Sequence, residues 1–297
     1  MNVDAVFLPV DHDYYDRVSE EVMNILRNHA DVFEQAGVDE AYLDVSERVG
    51  RSFDKARELA EKIKEEVRRS KGLTCSIGVG PNKLIAKIAA DSQKPDGLTV
   101  VKPEEAQGFL SPLPVNRLIG VGAKTQSLME SLGIKTIGDL AGFSVQRLVE
   151  LFGEKLGVYF YYASRGIDNR PVKEKGEAAS ISRISTLRED TRDLEAIMKK
   201  AGELCDEIRA ELARRMLRVR QVGIIVVSKN ISVHSRSKTL EQPTSNPEAL
   251  RKVVRELFER FLRESGLEAR RIGVRVSGFV KEDSQRRLGS FIRGEAE

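Results

Sequence analysis

Apolar and polar residues alternate over Val38-Asp39-Glu40-Ala41-Tyr42-Leu43-Asp44-Val45-Ser46. A period of two predicts a strand. Just upstream, residues 31–37 (Asp-Val-Phe-Glu-Gln-Ala-Gly) predict a partner strand, with Gly37 permitting a tight reversal. The two make a hairpin with an acidic tip, Asp39-Glu40. Successive strand side chains point to opposite faces. These two carboxylates can therefore share a metal ion only where the backbone kinks or turns. Elsewhere the period is helical. Val18, Val22, Ile25 and Leu26 stripe a helix running to about Asn28, with Asp13 as its N-cap. Phe53, Ala56, Leu59, Ala60, Ile63 and Val67 stripe a second over residues 52–69. Residues 73–80 read as a strand, and Pro81-Asn82 then caps a helix from Lys83 to about Gln93. This alternation predicts an α+β sheet covered by helices, with the acidic hairpin on it.

From residue 103 to 170 the pattern becomes helical and is punctuated by glycine. Leu118-Ile119-Gly120-Val121-Gly122-Ala123-Lys124-Thr125 separates two helical segments, as in a helix-hairpin-helix. There the backbone N–H groups of a glycine hairpin and the following helix N-terminus hold a DNA phosphate without reading bases. Residues 132–140 continue the pattern, and Leu151-Phe152-Gly153-Glu154-Lys155 predicts a second hairpin. Residues 165–178 are polar, contain Pro and Gly, and read as a linker. Beyond it come strand 180–187, helix 193–216, strands 219–228 and 231–240, helix 246–265 and strand 270–280. That order is β-α-β-β-α-β, a split βαβ sandwich.

Composition adds little to this picture: 40% hydrophobic and 32% charged residues among 297 is ordinary for soluble domains. No apolar run approaches the ~20 residues of a spanning helix, and the expected location is cytoplasmic, with no membrane partner. The two cysteines lack metal-site spacing and the three histidines are scattered, so neither a zinc site nor a histidine cluster is expected. Charge is more telling. Residues 179–297 hold 25 Lys+Arg and 18 Asp+Glu, 19 of the cations being Arg, whereas the rest of the chain is net negative. Arg suits phosphate because its planar fork binds two oxygens at once. The strands of this part carry Arg183, Arg188, Lys229, Arg236, Lys238, Arg270, Arg271 and Arg275. They predict a basic sheet face that lies on a nucleic-acid backbone. The end of the chain, residues 281–297, is charged. Within it Gln285, Leu288, Phe291 and Ile292 place an amide, an aliphatic and an aromatic group on one helical turn, as a docking peptide does.

Val38 to Asp44, then Cys75-Ser76-Ile77-Gly78-Val79-Gly80-Pro81-Asn82-Lys83 continuing to Asp91, then Lys94-Pro95-Asp96-Gly97, resemble the palm of Y-family translesion polymerases of the DNA polymerase IV type, most of all the archaeal members. The Gly120-Val121-Gly122 hairpin resembles their thumb, and residues 181–275 resemble their little finger. The tail is similar to their sliding-clamp-binding peptide. The resemblance implies an α+β multidomain chain: a partial palm (1–102), an all-helical helix-hairpin-helix thumb (103–170), a linker (171–179), a ferredoxin-like βαββαβ little finger (180–280) and a tail (281–297).

It further implies error-prone translesion DNA synthesis in damage tolerance, with deoxynucleotides transferred to a primer 3′-hydroxyl by a site holding two Mg²⁺ ions. Asp39 and Glu40 are then the metal ligands and catalytic carboxylates, and Lys94 meets the incoming triphosphate. Gly120, Gly122, Lys124, Arg183, Arg236, Lys238, Arg270 and Arg271 hold primer–template DNA, and Gln285, Leu288, Phe291 and Ile292 hold a sliding clamp. The expected state is a monomer. One departure stands out. The family opens with a strand carrying another catalytic Asp, followed by a fingers subdomain, whereas this chain starts at the later helix. Asp11 and Asp13 mimic that strand in letters, but only one helix separates them from Asp39, so they are excluded as ligands. Two ions held ~3.5–4 Å apart call for about three carboxylates. The chain therefore reads either as a polymerase whose native start lies upstream or as a polymerase-derived DNA-binding and clamp-binding protein that has lost its chemistry.

Overall fold

The computed structural model describes residue 6, residues 8–174, residue 176 and residues 179–281. The chain divides into two compact units, residues 1–175 and 176–297. The clamp-peptide residues Gln285, Leu288, Phe291 and Ile292 lie outside the described residues.

In the first unit, helix α1 (His12–Asn28) is opened by Asp11, whose carboxylate accepts the Tyr14 N–H at 2.9 Å. The expected cap, Asp13, stands inside the first turn. A cap must reach an N–H two or three residues ahead, and the helix starts early enough for Asp11 to do so. Strands β1 (Val32–Gln35) and β2 (Ala41–Asp44) form the expected antiparallel hairpin, with Phe33 opposite Leu43 and Glu34 opposite Tyr42. Phe33 is buried, and the Arg27 guanidinium of α1 lies 4.6 Å from its ring centre. At the base, the Asp31 carboxylate accepts the N–H groups of Glu47 and Arg48.

Helix α2 (Phe53–Lys71) is capped by Ser52 and ends at Gly72 in the left-handed conformation. Strand β3 (Ile77–Val79), helix α3 (Lys83–Ser92) and strand β4 (Leu98–Val100) make a parallel crossover unit, with Ile77 opposite Leu98. The three residues of β4 were too few to show a period. Each of these sheets has two strands, and among the described residues neither β2 nor β3 is paired on its second edge. A cavity of about 1130 Å³ is lined by both strands and by apolar residues of α1 and α2, among them Val22, Leu26, Leu59 and Ile63.

Four helices follow: α4 (Ala106–Leu110), α5 (Ala123–Ser131), α6 (Ile137–Ala141) and α7 (Val145–Ala163). At Gly153 φ is 78° and ψ 163°, which breaks α7 where a second hairpin was expected. Leu84, Ile85 and Ile88 of α3 join Leu110, Met129, Ile137 and Phe160 in one buried cluster, which runs across the expected boundary at residue 102.

The second unit follows the expected order: β5 (Ser180–Thr191), α8 (Leu194–Arg214), β6 (Leu217–Ser228), β7 (Val233–Thr244), α9 (Pro247–Glu264) and β8 (Ala269–Lys281). The sheet runs β5-β8-β6-β7, antiparallel throughout. Ile272, Val274 and Val276 face the buried residues of α8 and α9, including Ile208, Phe258 and Phe261. No helix among the described residues is long and apolar enough to cross a membrane.

Two outcomes follow from the packing of the first unit. A Cβ at Gly78 would lie 2.0 Å from the Ala86 carbonyl oxygen and 2.3 Å from the Ala90 nitrogen. Gly78→Ala is therefore expected to destabilise the protein by about 3 kcal/mol, the upper end for overpacking, in a urea unfolding titration. A loss below about 1 kcal/mol would show that α3 can lift off β3. The cavity beside β2 and β3 is expected to bind 8-anilinonaphthalene sulfonate with brighter fluorescence than a compact control protein of similar size, and equal fluorescence would refute an open apolar cavity.

Candidate active site

The hairpin tip supplies the carboxylates. The N–H groups of Ala36 and Gly37 both donate to the Glu40 carbonyl, at 2.9 and 3.0 Å, and the Gln35 side-chain amide donates to the Gly37 carbonyl at 3.0 Å. The Ser19 hydroxyl of α1 donates to the Val38 carbonyl. Gly37 is absent from the left-handed region, so the reversal is closed by these bonds rather than by a positive φ. Asp39 and Glu40 thus lie in a turn, the one placement that frees adjacent carboxylates from pointing to opposite faces.

Helix α3 lines the tip with cations. Lys83 and Lys87 are one turn apart and share a face. Lys87 pairs with Glu40 and lies 3.3 Å from Asp91, and Lys94 lies 2.6 Å from Asp91. Burial pushes the Asp91 carboxyl up, but the Lys94 hydrogen bond and the charges of Lys87 and Lys94 outweigh it and hold the group below its usual value. Glu40, Lys87, Asp91 and Lys94 form a line of alternating charge, with the Lys94 side chain 55% exposed at its end. Among the described residues, no three or more His, Cys, Asp or Glu side chains gather as a metal site. The pair at the tip offers only carboxylate oxygens, the donors that suit a hard cation such as Mg²⁺, which is commonly held by one or two carboxylates together with substrate phosphates.

Lys83, which with Lys87 and Lys94 was expected near the sheet's end as a lysine able to meet phosphates, has a partner that the sequence did not indicate. Lys83 Nζ lies 2.7 Å from both carboxylate oxygens of Glu34 and 4.8 Å from the centre of the Tyr42 ring. No local pattern joins residues 49 positions apart, so this pairing was not legible in the sequence. The Lys173 N–H also donates to Glu34 at 3.0 Å. Burial works against the Glu34 anion, yet the Lys83 and Lys173 hydrogen bonds keep its pKa lowered. The segment 165–173, expected as a linker, is bound to this unit. Asn82 caps α3 and donates to the Gly166 carbonyl at 2.8 Å, and Arg170 pairs with Asp168 and lies 5.8 Å from the Tyr159 ring centre. Its charged residues find partners on the folded surface, and composition alone could not show that.

The glycine hairpin is built as its sequence suggests. Leu118 and Val121 are buried, Gly120 has φ 91°, and the Tyr159 hydroxyl donates to the Ile119 carbonyl at 2.7 Å. Gly122 is the N-cap of α5 and has no side chain to occupy the first N–H groups. Lys124 is exposed in that first turn. The end of α5 is therefore open to an anion.

In the second unit, the expected basic face needs correction. Arg271 and Arg275 are exposed and share the open face of the sheet, opposite Thr186 and Ser182 on β5. Arg183, Arg236 and Lys238 stand on the opposite parity, paired across the strands with Val274, Ile224 and Val222. They reach helix acids instead: Arg183 to Glu207 at 3.4 Å, Arg236 to Glu264 at 3.5 Å and Lys238 to Glu256 at 2.6 Å. Arg270 falls at the bulge where β8 gains a residue over β6. Arg188 shares the exposed parity of Ser182 and Thr186 on β5, and Arg218 and Arg220 flank buried Val219 on β6, so the open face carries these arginines with Arg271 and Arg275 among Ser, Thr, Gly, Gln and aliphatic residues.

Comparison with known proteins accounts for these features together. Residues 1–91 match the impB/mucB/samB family, residues 178–289 its C-terminal domain, and residues 116–168 the thumb domain described for DNA polymerase iota. DNA polymerase IV of Nitrosopumilus maritimus is 43% identical over 289 residues, spanning 97% of this chain and 79% of the relative. A solved Y-family DNA polymerase chimera of Dbh and Dpo4 superposes with a TM-score of 0.88 at 30% identity, covering 94% of this chain and 80% of that one. An insertion ternary complex of Dbh DNA polymerase has a TM-score of 0.63 at 29% identity over the same shares. Alike in sequence, in order of parts and in fold, the chain belongs to the impB/mucB/samB family, the Y-family DNA polymerases.

Proposed function

We propose that the chain performs template-directed DNA synthesis of the translesion type, extending a primer 3′-hydroxyl with deoxynucleotides. The observation that supports this best is the line Glu40–Lys87–Asp91–Lys94 beside the acidic turn. It sets carboxylates for a divalent cation next to an exposed ammonium for a triphosphate. Asp39 and Glu40 would hold Mg²⁺, which supplies charge to activate the primer hydroxyl and to neutralise the leaving pyrophosphate. Lys94 binds the triphosphate and orients its reacting phosphorus. The Gly120–Lys124 hairpin and the open end of α5 hold a DNA phosphate. Arg271 and Arg275 hold further phosphates from the open sheet face, so grip is independent of sequence, as damaged templates require. Residues Gln285, Leu288, Phe291 and Ile292 are proposed, from their sequence alone, to dock on a sliding clamp, with the polymerase acting as a monomer.

Primer extension with Mg²⁺ and four deoxynucleotides tests the chemistry. Asp39→Ala and Glu40→Ala are each expected to lower the rate by more than about 100-fold, beyond the cost of losing a group that only supports a ligand, while a gel shift of the same DNA is retained. No extension by the wild-type chain, with salt-sensitive DNA binding intact, would replace this reading with that of a DNA-binding protein without chemistry. The sheet assignment has its own test. Arg271→Ala with Arg275→Ala should flatten the dependence of log K on log salt by about 2, close to 0.9 for each lost phosphate contact. Arg236→Ala with Lys238→Ala should leave the slope unchanged. The reverse pattern would place DNA on the helix side.

A further inference from the structure

Glu34 and Lys83 are 49 positions apart and take no part in the chemistry proposed above, yet they form a mostly covered, two-oxygen charged contact beneath the acidic turn. Their side chains are 19% and 13% exposed. Lys83 is the first residue of α3, and the next residues of that helix, Leu84 and Ile85, are fully buried. The ammonium therefore projects from an anchored backbone. It meets both oxygens of Glu34 at 2.7 Å and lies 4.8 Å from the centre of the Tyr42 ring.

Glu34 and Tyr42 are directly opposite each other across the hairpin, with only the Gln35–Ala41 pair between them and the turn. The turn itself is closed by the Ala36 and Gly37 N–H groups on the Glu40 carbonyl. Holding Glu34 and Tyr42 thus holds the rung from which the turn springs. A slip of one residue there would exchange the faces of every side chain beyond it. Ser19 of α1 secures the Val38 carbonyl on the other side of the tip.

We infer that Lys83 and Glu34 are positioning residues for the Asp39 and Glu40 carboxylates: the ion pair fixes hairpin register against α3 and so sets where a divalent cation is held. This rests on the proposed metal-dependent function. The Lys173 N–H on Glu34 and the Asn82 amide on the Gly166 carbonyl extend the same support to the segment that follows α7. Neither positioning side chain touches substrate. Their effect should appear in metal affinity, as with other groups that orient ligands without coordinating.

The test is Mn²⁺ binding to the full chain, read from the electron paramagnetic resonance of the free ion, together with the Mg²⁺ concentration for half-maximal primer extension. Lys83→Met and Glu34→Gln are expected to weaken Mn²⁺ binding and to raise the Mg²⁺ requirement by about tenfold or more, the usual range for a lost outer-shell partner. Gel-shift affinity for primer–template should stay within about twofold, far less than a tenfold change. Lys83→Arg keeps the charge and offers a fork to the same carboxylate, and it should restore most of the metal affinity. Should Lys83→Met fail to fold, Glu34→Gln, nearly equal in size and still able to accept from Lys173, carries the test. Folded variants that bind Mn²⁺ as the wild type does would overturn this inference alone. A wild-type chain that binds no Mn²⁺ would overturn the proposed metal site, and this inference with it.

Discussion

The candidate site depends on helix α3 being immobile. Its apolar side sits in the core with Leu110, Met129 and Phe160. On β3, Gly78 lets the Ala86–Ala90 backbone approach to where a methyl group has no room. From that fixed base its polar side presents Lys83 and Lys87 to Glu34 and Glu40. A long cation on a mobile helix would contribute little, because side-chain entropy and solvent screening cancel most exposed pairs. Here the Lys83–Glu34 pair is mostly covered, and removing one partner from such a pair costs about 3–5 kcal/mol because the other charge is left behind. The hairpin is held by geometry that the core enforces.

The same unit combines this rigidity with an opening. Phe33 packs beneath α1, while Val22, Leu26, Leu59 and Ile63 line a cavity between strand edges. Apolar surface at two unpaired edges is costly to leave in water. The acidic turn lies at the border of the two regions, with Asp39 and Glu40 among the residues lining the cavity. Placement of the carboxylates thus relies on the α3 side, where contacts are dense and charged, and on the single Ser19 tether from α1.

In the second unit, the division of labour is between two faces of one sheet. Ile272, Val274 and Val276 bury against helices, and intervening positions Arg271 and Arg275 stay open. Cations on the helix side neutralise helix acids, as Lys238 does Glu256. A count of basic residues therefore overstates what a polyanion meets. Net charge attracts a polyanion at long range, whereas close contact depends on which cations are free of acidic neighbours.

Periodicity alone determined much of this protein. The hairpin, α1, α2, α3 and the βαββαβ order follow from repeats of two and of 3.6, because burying one face imposes its period on the letters. Asp39-Glu40 was legible as an acidic hairpin tip, and Gly120 and Gly122 as a glycine turn opening a helix, since their residue types mark those turns locally. Only tertiary structure decided the rest. Lys83 meets Glu34 across 49 residues, and no local pattern encodes that distance. Segment 165–173 looked like a linker because its bonds to Glu34 and to the Asn82 side chain form only on the folded surface. Arg236 and Lys238 looked equivalent to Arg271. Which parity faces helices depends on register between strands, and register is set by the pairing of whole strands rather than by any one of them.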